Sequence, residues 1–258
     1  MTTSASWNAK QYSLFEAERT RPVRDLLNGA QGGEIRAAVD LGCGPGNSTE
    51  LLAAYAPVAR IVGIDNSQDM IDAARKRLPQ VDFELADIAA WDAAGPYDLI
   101  LANASLQWVT GHDTLLPRLV DKLAPGGRLA IQMPDNLDQP AHLLLREVAA
   151  QDPWRDRLAG TERTGRHPAA WYHALLKPRC ARVDVWRTTY HHALEGGIDA
   201  VVEWFKGSAL RPFLAKLDDS EQRAFLDRYR SALASAYTVS GDGSVLLPFP
   251  RLFIVATR

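Results

Sequence analysis

Three glycines at alternate positions, Gly42, Gly44 and Gly46, fall in the stretch Val39-Asp40-Leu41-Gly42-Cys43-Gly44-Pro45-Gly46-Asn47-Ser48-Thr49, between an apolar strand pattern and a helical one. Glycine accepts positive φ and lets a ligand approach the main chain with no Cβ in the way, while the free N–H groups of the next helix face that ligand. The stretch reads as a nucleotide-binding turn. The dinucleotide fingerprint G-x-G-x-x-G needs glycine where Asn47 stands, so the spacing here leans away from NAD. Cys43, inside the turn, has no histidine or other base near it in sequence and reads as a small buried filler. His167, His173, His191 and His192 show no metal-ligand spacing, so no metal site is expected.

The elements around the turn explain how it is held. Strand patterns at 37–41, 60–64, 81–85, 97–101 and 128–133 alternate with helical ones at 48–55, 67–78 and 114–123. Ser67 is the expected N-cap of the second helix, with Asp69 in its first turn and Met70, Ile71 and Ala74 facing inward. This alternation predicts a parallel, doubly wound sheet with right-handed crossovers. Ligands of such sheets lie at the carboxyl ends of the strands, where Gly42, Asp65, Asp87 and Asn103 all fall.

Two short helical patterns precede the first strand, one with Trp7, Tyr12 and Phe15, the other with Val23, Leu26 and Leu27, with a break expected near Thr20-Arg21-Pro22. After Pro134 helices are expected at 139–150 and 168–176, then a strand at 182–190, a helical insertion over 198–237, and a closing strand at 252–256. The last inserted helix opens on Asp218 with Glu221 three residues on, a capping-box spacing, and carries the stripe Phe225, Leu226, Tyr229, Leu233 and Tyr237. The expected architecture is one domain over 1–258: an α/β, doubly wound, seven-stranded, mostly parallel sheet. Its cofactor core is placed at 34–133, with helical substrate-cap segments at 134–180 and 195–245.

Composition narrows the partners. The 258 residues are 47% hydrophobic, enough for one sizeable core. A net charge of −2 without a block of like charges gives no electrostatic support to a nucleic-acid or anionic-membrane partner, and no obligate protein partner is evident. Two cysteines, far apart, make neither a disulfide scaffold nor a metal motif. Without an apolar signal core or a membrane-length apolar run, a cytoplasmic protein acting on a small ligand is expected.

The glycine turn, Asp65, Asp87, and Leu123-Ala124-Pro125-Gly126-Gly127 agree in order and spacing, and with them residues 37–133 resemble the class I S-adenosylmethionine-dependent methyltransferases, whose fold is Rossmann-like. Flanking motifs extend the resemblance nearly end to end, toward the trans-aconitate methyltransferase family. They are Trp7 with Tyr12, Glu18-Arg19-Thr20-Arg21-Pro22, Gln107-Trp108-Val109, Glu203-Trp204-Phe205-Lys206-Gly207, Leu210-Arg211-Pro212 and Phe249-Pro250-Arg251. The resemblance implies S-adenosylmethionine as cofactor and S-adenosylhomocysteine as product, with the methionine part over residues 42–46. It also implies that Asp65 holds the ribose hydroxyls, Met70 packs on the adenine, Asp87 meets the adenine amino group beside the Ile88 main chain, and Asn103 approaches the amino-acid end. Arg21 is the candidate for the cofactor carboxylate, with Arg19 as competitor.

A carboxylate acceptor, with a pKa near ~4, is ionised at neutral pH and needs no general base, so no catalytic residue is assigned and the work is positioning. A small polycarboxylate such as trans-aconitate requires cations and donors where it leaves water. Lys206, Arg211 and Arg251 are the candidate cations, with Tyr172 and Tyr237 as hydroxyl donors and Gln107 and Trp108 beside the cofactor. Two other readings stay open: methyl transfer to a phenol, amine or quinone precursor, which calls for a base at the methyl, and a non-catalytic cofactor-binding protein.

Overall fold

The central strands are near-continuous apolar runs, buried on both faces of the sheet, as parallel strands covered by helices are. In the computed structural model, which describes residues 16–92, 95–161 and 166–258, seven strands pair in the order β3-β2-β1-β4-β5-β7-β6. They are β1 (Ala37–Leu41), β2 (Arg60–Asp65), β3 (Asp82–Leu85), β4 (Tyr97–Asn103), β5 (Leu123–Pro134), β6 (Arg182–Leu194) and β7 (Val245–Thr257). The first five are parallel and β7 runs antiparallel to β5, as expected for a doubly wound sheet with a reversed strand near one edge.

One face carries the main apolar core: Val39, Leu41, Ile100, Ala102, Leu129, Ile131, Met133, Leu252, Ile254 and Ala256 pack with Leu115, Leu116, Leu119, Tyr172 and Leu176. The alternate positions of the inner strands carry the buried polar side chains Asp40, Arg128, Gln132 and Arg251. Arg128 is held by two carbonyls, its Nη1 donating to Ala30 O (3.0 Å) and its Nη2 to Gly33 O (3.0 Å).

The break expected near Thr20-Arg21-Pro22 is absent. A single helix, α1 (Glu16–Gly29), runs through Pro22. A mid-helix proline costs about 3 kcal/mol, and the burial of Val23, Leu26 and Leu27 offsets it at roughly 1.5–3 kcal/mol per side chain. Trp7, Tyr12 and Phe15 lie outside the described residues. Three further helices complete the crossovers: α2 (Asn47–Tyr55), α3 (Gln68–Arg77) and α4 (His112–Asp121). Strand β5 starts at Leu123, five residues ahead of the expected Arg128, because the 124–127 turn is drawn into a ladder where Tyr97 pairs with Leu123 across a register shift.

The chain divides into two compact units. The first holds the described residues up to Pro134 with Arg166–Thr188 and Arg251–Arg258; the second holds the described residues of 135–165 and 189–250. Thus 34–133 lies within the first unit, whereas 134–180 is shared out, its helix α7 (Ala169–Leu176) belonging with the sheet.

The second unit is helical: α5 (Pro140–Ala149), α6 (Arg155–Leu158), α8 (Gly197–Lys206), α9 (Arg211–Leu214) and α10 (Asp219–Ala236). The capping box forms, with Asp218 accepting from the Glu221 N–H and Glu221 from the Asp218 N–H. Phe225, Tyr229 and Leu233 are buried, and the Tyr229 hydroxyl donates to Ala141 O at 3.0 Å. Among the described residues no helix is long and apolar enough to cross a membrane.

Candidate active site

The glycine turn meets the carboxyl ends of β1, β2 and β4 and the segment after β3 in a cavity of about 350 Å³, within the first unit. Its lining includes Gly42, Gly44, Asp65, Met70, Asp87, Ile88 and Trp108, seven of the residues expected from sequence. Gly42 and Gly44 have φ of +75° and +55°, where an L side chain is strained. They differ in surroundings. A Cβ on Gly42 would come within 2.4 Å of the Ser105 Cβ, whereas one on Gly44 would meet nothing within 4 Å.

Asp65 closes the turn at the end of β2. Its Oδ2 accepts from the Gly44 N–H at 3.0 Å and its Oδ1 from the Ser67 N–H at 2.9 Å. Burial pushes its carboxyl above the usual range, with the Ser67 and Gly44 N–H groups opposing. A carboxylate has about four acceptor sites, so Asp65 keeps acceptor capacity toward a ligand hydroxyl beside these backbone N–H groups. Asp87 is exposed and accepts from the Ala89 N–H at 2.9 Å, while Met70 and Ile88 present buried apolar wall. Cys43 is buried, its Sγ–H reaching Gly44 O at 3.5 Å, and burial drives its thiol pKa upward, in keeping with a filler.

Several expected residues do not line the cavity. Gly46 caps α2 in the left-handed conformation, and Asn103 ends β4 with a buried Oδ1 that lacks a hydrogen-bond partner. Arg21 sits exposed on α1, and Gln107 turns its Nε2 back to Ala104 O. Arg251 is buried on β7 with Nη1 donating to Gln132 Oε1 at 3.1 Å. In the second unit Lys206 ends α8 in an ion pair with Glu203, and Arg211 opens α9, half-buried.

Tyr172, expected as a hydroxyl donor, does not line this cavity. Its hydroxyl lies in the apolar core, 2.8 Å from His112 Nδ1. His112 Nε2 is 2.9 Å from Leu106 O, an acceptor only, so Nε2 carries the proton and Nδ1 receives the Tyr172 hydrogen. That hydrogen is therefore not offered to a substrate. The pair instead anchors the turn that carries Gln107 and Trp108, and burial lowers the His112 pKa, keeping the ring neutral.

Val109, of the Gln107-Trp108-Val109 motif, also lines the cavity, as do Asn66, Ala89, Ala104, Ser105 and Thr110, which were not singled out from sequence. Asn66 and Ala89 each directly follow a residue that was, so proximity was a usable signal. Ser105 gave none: it approaches Gly42 only because Ala104, at φ 52°, turns the chain back after β4.

A family model described as a methyltransferase domain matches residues 38–127. Trans-aconitate 2-methyltransferase of Methylobacterium nodulans is 53% identical over 256 residues, covering 98% of this chain and 99% of that protein. The enzymes of the same name from Paracidovorax citrulli and Rhodopseudomonas palustris are 51% and 49% identical, again over 98% of this chain and 98% and 100% of theirs. Among solved structures, the YcgJ protein of Bacillus subtilis aligns with a TM-score of 0.60 at 10% identity over 92% of this chain and 98% of its own, and MccD with 0.57 at 13% over 92% and 96%. The structural likenesses speak for the fold, and identity near one half over whole chains speaks for kinship: this chain belongs to the trans-aconitate 2-methyltransferase family.

Proposed function

We propose that this protein transfers a methyl group from S-adenosylmethionine to a carboxylate oxygen of trans-aconitate, giving the monomethyl ester and S-adenosylhomocysteine. The observation that carries the reading is full-length identity of about one half to proteins of that name. The cavity fits the cofactor's chemistry. Asp65 retains acceptor capacity for a vicinal diol, Gly44 leaves its Cβ volume open, Met70 and Ile88 give an apolar wall, and Asp87 adds a second carboxylate.

S-adenosylmethionine, when bound, supplies an electrophilic methyl on a cationic sulfur. The protein's part is to hold the reactants in line. Asp65, fixed by two backbone N–H groups, orients the ribose through charge-assisted hydrogen bonds. Gly42 and Gly44 let the chain approach, with Asn103 and Arg21 toward the amino-acid end. Gln107, Trp108, Lys206, Arg211 and Arg251 are the proposed acceptor contacts. An ionised carboxylate is its own nucleophile, so no side chain has to remove a proton.

A labelled-methyl transfer assay against di- and tricarboxylates, phenols and amines tests the reading. A base-labile methyl product from trans-aconitate is expected; transfer only to phenols or amines would overturn it.

A further inference from the structure

On the sheet face that carries Gln132, the ends of β4 and β5 and the adjoining middle of β7 form a row of amide and guanidinium groups. Asn103 of β4 pairs in register with Gln132 of β5, Gln132 pairs with Phe253 of β7, and Arg251 lies two residues from Phe253, hence on the same face. Gln132 is fully buried and Arg251 nearly so. The Gln132 Oε1 is turned to Arg251 Nη1, at 3.1 Å, which leaves the Gln132 Nε2 buried without a partner. A buried amide donor left unpaired is costly. Both groups that the pair can offer to a ligand are N–H donors, so its chemistry selects an acceptor-only group, an anion such as a carboxylate.

Strand order says which carboxylate. The acidic groups of the cavity, Asp65 and Asp87, follow β2 and β3 on one side of β1 and β4, while Gln132 and Arg251 stand on β5 and β7 on the other. At the usual strand spacing, Gln132 is roughly 10 Å across the sheet from the end of β1. A cofactor seated over β1 to β3 with its reactive end toward β4 leaves the end of β5 and the adjoining stretch of β7 for the second reactant.

We propose that Gln132 is a positioning residue for the acceptor: its carbonyl fixes the Arg251 guanidinium, and its unpaired amide N–H joins that guanidinium on one carboxylate of the polycarboxylate, away from the carboxylate being methylated. This rests on the reading of the protein as a carboxyl methyltransferase.

The test uses the full chain with Gln132→Glu, Gln132→Met and Arg251→Lys, comparing KM for trans-aconitate, kcat, and calorimetric Kd for S-adenosylhomocysteine. Gln132→Glu gives Arg251 a fixed counter-ion, and a rise in acceptor KM of about tenfold or more is expected, with kcat within about threefold and S-adenosylhomocysteine affinity within about twofold. Gln132→Met, which removes both hydrogen bonds at similar length, is expected to raise KM by about fivefold or more, and Arg251→Lys similarly. Acceptor KM within about twofold of wild type in both Gln132 variants overturns the proposal, as does an equal loss of S-adenosylhomocysteine affinity.

A thermal-shift measurement with the saturated tricarboxylate tricarballylate, in the presence of S-adenosylhomocysteine, keeps the question answerable if Gln132→Glu does not fold or trans-aconitate is not methylated. A Tm rise in wild type that Gln132→Met abolishes supports the pair. An absent rise, or an equal one in the variant, overturns it. Failure of methyl transfer by wild type alone would count against the acceptor assignment and leave this measurement standing.

Discussion

Gly42 and Ser105 share a space that only one side chain can fill: a Cβ on Gly42 would lie 2.4 Å from the Ser105 Cβ and 3.2 Å from its Oγ. The glycine also holds φ at +75°. Gly42→Ala is therefore penalised twice, by backbone strain of about 1–3 kcal/mol and by the collision. We expect loss of measurable cofactor binding and a lowered Tm. Adding Ser105→Gly removes the collision but not the strain, so the double variant should recover part of the stability. A double variant no better than Gly42→Ala would mean that backbone strain alone accounts for the loss.

Asp65 is held by the Gly44 and Ser67 N–H groups and faces the cavity. Charge-assisted hydrogen bonds contribute roughly 1.5–3 kcal/mol each, so Asp65→Ala should weaken S-adenosylhomocysteine binding at least about tenfold. Calorimetry on the folded variant checks this, and unchanged affinity would remove Asp65 from the site.

Asp40 is fully buried, and desolvation lifts its carboxyl to about 6 despite hydrogen bonds donated by the Ser48 and Thr49 hydroxyls at 2.7 Å. Because the folded state holds this proton more tightly than the unfolded chain, Asp40 costs stability progressively as pH rises from about 4 through 6, and the cost is constant above that. The full penalty is at most about 3 kcal/mol. The stability difference between Asp40→Asn and wild type, followed by denaturant melts, should grow in favour of the variant from pH 4.5 to 7. A pH-independent difference would contradict the assignment.

His112 is kept neutral by burial between Leu106 O and the Tyr172 hydroxyl. Its folded pKa lies below the unfolded value near ~6.5, so it contributes a loss of stability as pH falls below that value. Tyr172→Phe leaves the His112 Nδ1 unpaired and should cost about 1–3 kcal/mol, with KM for trans-aconitate unchanged. A raised KM at unchanged stability would return Tyr172 to the acceptor site.

An ionised carboxylate nucleophile requires a flat kcat profile between about pH 6 and 8. A rise with unit slope in that range would demand a catalytic base and favour a phenol or amine acceptor.

The sequence by itself determined what depends on local pattern. Apolar runs and their polar ends located the strands, the spacing of Gly42, Gly44 and Gly46 located the turn, and Asp218 with Glu221 located the start of α10, since caps and strand alternation act within a few residues. Asp65 and Met70 were legible for the same reason, standing at and just after a strand end. Tertiary structure decided whatever depends on a partner distant in sequence. Burial of Val23, Leu26 and Leu27 overrode the break that Pro22 suggests. Packing committed the Tyr172 hydroxyl to His112, sixty residues away. The fold of the chain after β4 set Ser105 against Gly42, and sheet register joined Gln132 to Arg251 across 119 residues. The last three contacts leave no periodic trace in the sequence, because each joins two residues whose local elements would form equally well without it.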